Sequence, residues 1–369
     1  MKALNHRQAQ DASLAFSHLA RGDAAAALAI ARPLAAEAEG APDAQHLLAL
    51  SLLASGDADA ATVAFEAALR LAPGQPAIFA NYGRGLRRFG RRIEAGEVWQ
   101  RMALALPGDS TARLEAGLAD LEAGRLEAAL AHLREAVRLA PAVPRAWHAL
   151  GNALREADRL AEADDAFHRA IALDPRNPLL WANLGGVLRL RGRSDAAIEA
   201  YAQARACGAD DPVVREAEVG ALIDALRFDL AFERAESLVA DHPEHFGGHT
   251  TLAELRWEYG PDAGRDSALT PFREAVARRP DSRELALSLV SLLLETHQAG
   301  EALERLQRLR READHPTLVA MQANALQALG RHDEAAAAYA EADGALGATD
   351  VHFANAYVRH LLTAGEWAA

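Results

Sequence analysis

Cysteine is nearly absent. Cys207 is the only one in 369 residues, which excludes an intrachain disulfide and fits a reducing compartment. Aromatic residues make up 5% of the chain although half of it is hydrophobic, so Ala and Leu carry the apolar content and favour closely packed helices. No apolar run approaches the roughly 18 residues of a membrane span. The N-terminus carries Lys2 and Arg7 but no apolar core of secretory length, so it does not read as a signal peptide. These absences place the chain in the cytoplasm with no membrane partner. No Gly-rich phosphate loop, nucleophile elbow or cysteine pair occurs, so no catalytic residue and no cofactor is assigned, and the chain is expected to be non-catalytic. A net charge of −13 opposes phosphate binding and excludes nucleic acid as a general partner.

What the chain does contain is a repeat. Trp147, Leu150, Gly151, Leu154, Ala163, Phe167 and Ala170 recur 34 residues later as Trp181, Leu184, Gly185, Leu188, Ala197, Tyr201 and Ala204. A W-x2-L-G opening followed by a late A-x3-F at that period resembles the tetratricopeptide repeat family. The resemblance implies an all-α fold, a right-handed superhelical solenoid of antiparallel helix pairs, with a concave groove lined by the first helix of each repeat. Small residues at the eighth and twentieth positions let the two helices approach, and large ones at the fourth, seventh and twenty-fourth fill the space between them. Gly at the fifteenth ends the first helix by taking a left-handed conformation, and Pro at the thirty-second stops the second.

Over residues 1–245, repeats start near residues 8, 42, 76, 110, 144, 178 and 212. The first is degenerate, and Pro33 is expected to kink or shorten its second helix. The repeat at 110 has Arg113 where an aromatic belongs, the repeat at 178 has Ala209 in place of its terminating proline, and the repeat at 212 drifts. Residues 246–369 continue the pattern divergently, with an insertion near 260–267, where a bend is expected, and an unfinished last repeat around Tyr357, Leu361 and Gly365. That open end makes self-association conceivable and reads as the N-terminal part of a longer protein.

In the family, the groove is lined by the second, fifth, ninth, twelfth and thirteenth positions. Those positions here yield Phe16, Leu19, Leu50, Leu53, Arg84, Arg87, Arg88, Leu118, Leu121, His148, Asn152, Arg155 and Arg189. Arg84, Arg87, Arg88 and Arg91 stand at i, i+3, i+4 and i+7, which predicts one helix face suited to bidentate carboxylate contacts; the plainer reading is a solvated face paired with nearby acids. The resemblance also raises a two-carboxylate clamp, for which Asn152 stands in place but the companion lysines are missing (Ala80, His148). A ladder of sixth-position asparagines is met only at Asn81 and Asn183.

His242, His245 and His249 form a histidine cluster whose spacing fits an inter-repeat turn better than a zinc site, and no metal is assigned. Two classes of function follow. One is a protein-binding module that takes a peptide or protein segment, with acidic groups near the arginines. The other is the substrate-recruiting arm of a longer glycosyltransferase, sulfotransferase or iron- and 2-oxoglutarate-dependent oxygenase; GGHTTLAELRWEYG is similar to the repeat region of bacterial proteins of that oxygenase type.

Overall fold

The computed structural model describes residues 3–259, 265–312 and 315–346. The chain divides into two compact units after Arg191. The described residues of the first unit form α1 (His6–Ala20), α2 (Ala24–Glu37), α3 (Pro42–Ser55), α4 (Ala58–Leu71), α5 (Pro76–Arg88), α6 (Arg92–Ala105), α7 (Ser110–Glu122), α8 (Leu126–Leu139), α9 (Pro144–Glu156), α10 (Leu160–Leu173) and α11 (Pro178–Leu190). Those of the second form α12 (Ser194–Ala206), α13 (Pro212–Asp224), α14 (Phe228–Asp241), α15 (Phe246–Tyr259), α16 (Arg265–Arg278), α17 (Arg283–Glu295), α18 (Ala299–Glu312), α19 (Pro316–Ala328) and α20 (His332–Leu346). No strand occurs among the described residues, and none of their helices is long and apolar enough to cross a membrane.

Punctuation is local. Proline opens α3, α5, α9, α11 and α13, where its missing N–H has no helical partner to lose. The fifteenth position is left-handed in every repeat where it is described: φ is +90° at Gly56, +75° at Gly90 and +70° at Gly124, and it stays positive where the residue is Asp158 (56°), Leu226 (58°) or His297 (59°). The turn geometry is therefore imposed by the helix pair even on residues that resist it. Second helices end one residue short of their proline, with Ala72, Leu106, Ala140 and Asp174 extended in φ at −129° to −140°, as a following proline requires. Where Ala209 replaces that proline, α12 closes on Gly208 at φ +97°.

Packing explains the small eighth position. A Cβ on Gly83 would overlap the Trp99 indole, one on Gly117 would sit 2.7 Å from Leu133 Cγ, and one on Gly151 2.9 Å from the Phe167 ring. Trp99, Leu133 and Phe167 are fully buried, so each glycine is the seat of a large apolar side chain carried by the second helix, aromatic at Gly83 and Gly151. In the second unit, Phe272, Leu289, Leu293, Leu306 and Tyr339 anchor a core cluster. Burial pushes the Tyr339 phenol up to about 12, and its hydroxyl donates to Asn324 Oδ1 at 2.6 Å.

One expectation needs correction. Pro33 does not shorten α2, which runs fourteen residues through it. The proline sits in an exposed position, and the neighbouring Ala27, Ala31, Leu34 and Ala35 are buried; their packing holds the helix despite one lost backbone bond. Residues 260–264 of the insertion, and the final stretch with Tyr357, Leu361 and Gly365 on which self-association was expected, lie outside the described residues.

The first-helix face as candidate functional site

In the first unit, the first helices of successive repeats touch one another as well as their own partners: α1 meets α3, α3 meets α5, α7 meets α9 and α9 meets α11. Leu53 of α3 lies on the backbone of α5 at Gly85, where a Cβ would overlap its δ-methyl. Leu50, Leu53, Leu118 and Leu121 are half-buried, and Phe16 is 46% exposed.

Polar bridges join these helices at the fifth and sixth positions. The Asn81 amide nitrogen lies 3.0 Å from His46 Nε2, and the Asn183 amide nitrogen lies 2.9 Å from His148 Nε2. The two bridges are 102 residues, or three repeats, apart. Each imidazole also rests near the aromatic of its own second helix, Phe65 at 5.9 Å and Phe167 at 6.1 Å between ring centres. Burial holds both histidines below the usual value; Asp43 partly offsets this at His46, whereas the Arg155 charge lowers His148 further. A neutral ring leaves Nε2 free to accept from the amides. The two asparagines that match the family's sixth-position ladder, Asn81 and Asn183, thus bridge neighbouring repeats. Glu115 does the same work at the sixth position of its repeat: it is 7% exposed, accepts from Arg145 at 2.6 Å and lies 3.5 Å from Arg87.

These bridges reassign the arginines. Arg91 does not share a helix face with the others, because α5 ends at Arg88 and Gly90 reverses the chain. Arg91 instead precedes α6 and pairs with Glu94 and Asp59. Arg87 is paired with Glu122 at 2.9 Å and with Glu115. Arg84 donates to the neutral Asn81 Oδ1 at 2.8 Å and keeps its charge. Arg88 and Arg155 are exposed and have no carboxylate within ion-pair distance among the described residues. Arg189 is exposed at the end of α11. Asn152 spends its amide nitrogen on His148 at 3.1 Å, and its Oδ1 is buried without a partner among the described residues, so neither end is presented for a carboxylate clamp.

The fourth position carries a contact that sequence reading missed. The Trp147 and Trp181 indoles donate to the carbonyls of Pro141 and Pro175 at 2.8 and 2.9 Å. Arg113 Nε makes the same bond to Pro107 at 3.3 Å, and His249 Nε2 to Pro243 at 3.0 Å. All four stand six residues after the accepting proline, a spacing that was visible in the sequence; what they share is a ring or guanidinium N–H. His249 is therefore a repeat fastener, while His245 pairs with Glu216 at 2.7 Å.

Residues 42–75, 117–158 and 148–212 match family models described as tetratricopeptide repeats. The chain carries tetratricopeptide repeats. A tetratricopeptide repeat protein from Parabacteroides merdae ATCC 43184 superposes with a TM-score of 0.50 at 15% identity, over 68% of this chain and 98% of its own; at that identity the likeness bears on fold alone. YrrB, described as a repeat protein with an unusual peptide-binding site, gives 0.42 at 21% identity over 52% of this chain and 97% of its own. No curated protein matches the chain. The tetratricopeptide repeats account for the fastener, the glycine seats and the left-handed turns as features of one unit copied along the chain.

Proposed function

We propose that the first-helix face of the first unit binds a protein segment. Acidic side chains of that segment pair with Arg84, Arg88 and Arg155, and apolar ones lie on Leu50, Leu53, Leu118 and Leu121. The observation that carries this reading is selective neutralisation. Arg87, Arg91 and Arg145 all have carboxylate partners, whereas Arg84, Arg88 and Arg155 have no such partner among the described residues, and half-buried leucines occupy equivalent positions of neighbouring first helices. In a chain of net charge −13, uncompensated arginines on one helix face favour a bidentate anionic partner. In this proposal the chain binds and performs no covalent step.

The test uses a library of acidic, leucine-containing peptides read by fluorescence anisotropy. Binders should lose at least roughly tenfold in affinity with Arg84→Glu/Arg88→Glu, since each reversed contact is charge-assisted, while helical circular dichroism is unchanged. Arg87 is left in place because its charge is already matched. Equal affinity for the variant and the parent chain would refute the assignment.

A further inference from the structure

A cavity of about 280 Å³ opens in the second unit, between α12, α13 and α14, and its walls are charged. In and just before the regular repeat at 144, the corresponding positions are Val137, Trp147, Leu150 and Ala166. Two periods later, in and just before the repeat at 212, the same four positions are Arg205, Arg215, Glu218 and Arg234. All four apolar residues have become charged, and the aromatic at the twenty-fourth position has become Ala235. The aromatic bulk of Trp147 and Phe167 has no counterpart here, and charged groups stand in its place.

The internal pairing is incomplete. Arg205 faces Glu218, which is 4% exposed, through two contacts of 2.9 Å. Arg215, 13% exposed, donates to Ser237 at 2.8 Å and to Asp241 at 2.9 Å, and lies 3.4 Å from Asp210. Arg234 is left over: its Nε is buried without a hydrogen-bond partner among the described residues, while the side chain as a whole is 34% exposed, and the carboxylate near it among the described residues, Glu233, lies 3.6 Å from Nη1 and is 66% exposed. Three guanidiniums thus line the cavity; Glu218 matches Arg205, Asp241 and Asp210 match Arg215, and Arg234 has no comparably close carboxylate among the described residues. A buried N–H without an acceptor is unfavourable by about 1–3 kcal/mol, and a guanidinium selects an oxygen acceptor that carries charge.

We infer that this cavity is a binding site for a small molecule bearing an oxyanion, a carboxylate or a phosphate, which accepts from Arg234; the Ser237 hydroxyl is already engaged, donating to Asp241 and accepting from Arg215. The volume lies just below the range common for ligand pockets, about 300–1,000 Å³. It suits a group of phosphate or dicarboxylic-acid size. The site shares no residue with the first-helix face proposed above.

Inorganic phosphate and succinate are titrated separately into the full chain at ionic strength held constant with chloride, with calorimetry and the thermal midpoint as readouts. At least one should bind saturably at one site per chain and raise the midpoint, and which one does so identifies the oxyanion. Arg234→Gln should weaken binding at least tenfold, and Arg234→Lys should lie between the two. A guanidinium Nε–H resonance of the 15N-labelled parent chain should shift on saturation, a readout that stands even if a variant fails to fold. Neither probe binding above the chloride background, or equal binding by Arg234→Gln, would overturn the inference.

Discussion

The repeats at 144 and 212 share a frame and differ in what fills it. Each opens with proline, turns through a left-handed fifteenth residue and places its second helix at the same spacing. The first closes its helix pair with Gly151 under Phe167. The second exchanges the sizes, with Val219 opposite Ala235, both fully buried, and substitutes charges around the cavity. The difference teaches that the helix–turn–helix frame tolerates a change of filling as long as the turn and the buried small–large pair are kept.

The largest effect is expected from breaking the regular filling. Phe167→Ala removes a fully buried ring and should lower stability by about 3–5 kcal/mol, measured by urea denaturation; a loss below about 1 kcal/mol would mean that the ring is not the anchor. Gly151→Ala probes the same pair from the other side. Overpacking should destabilise by about 1–3 kcal/mol, even though alanine alone favours a helix by about 1 kcal/mol. A net gain would show that Phe167 can move aside.

At the shared turn the expected sign reverses. Leu226→Gly relieves a left-handed leucine that is 73% exposed and should stabilise by about 1 kcal/mol. Asp158→Gly in the regular repeat should give less, because Asp tolerates that conformation.

The histidine bridges of the first unit predict a pH dependence. Both imidazoles are held below their ordinary 6.5, so the folded chain binds fewer protons than the unfolded chain in the window just below 6.5. Their contribution is complete above pH 6.5 and is lost as pH falls through the lowered values. Denaturation at pH 7.5 and 5.5 should show a smaller difference for His46→Gln/His148→Gln than for the parent; an identical difference would contradict the neutral bridges.

The smallest effect belongs to the second unit, where first-helix positions that carry arginine in the first unit hold Glu254, Glu258 and Glu295. Burial, and then the neighbouring Glu258, Glu295 and Glu216, raise the Glu254 carboxyl above its usual range. Its ionised form is therefore disfavoured in the fold, and stability is lost as pH rises through the raised value. Glu254→Gln should stabilise at pH 7 by roughly 0.2–0.5 kcal/mol, the size of a like-charge pair one turn apart, and a thermal melt in low salt is the check.

Much of the fold was legible because its signals are local. The 34-residue period of Trp147 and Trp181, the turn glycines and the prolines each act within a few bonds of their own backbone. The candidate face was legible as a set of positions, but its chemistry was not. Arg84 and Arg87 look alike in the sequence, yet one meets a neutral amide and the other meets Glu115 and Glu122 from the next repeat. Arg91 looked like their neighbour until the helix ended at Arg88.

The sequence by itself determined the repeat, its helix boundaries and the small–large pairing, since these depend on dihedral preference and on volume at fixed spacing. Only the tertiary structure decided which charges remain uncompensated and that the altered positions of the repeat at 212 enclose a cavity with Arg234 unsatisfied. Ion pairing and enclosure depend on side chains from separate helices meeting within a few ångströms, and no one-dimensional spacing records that distance.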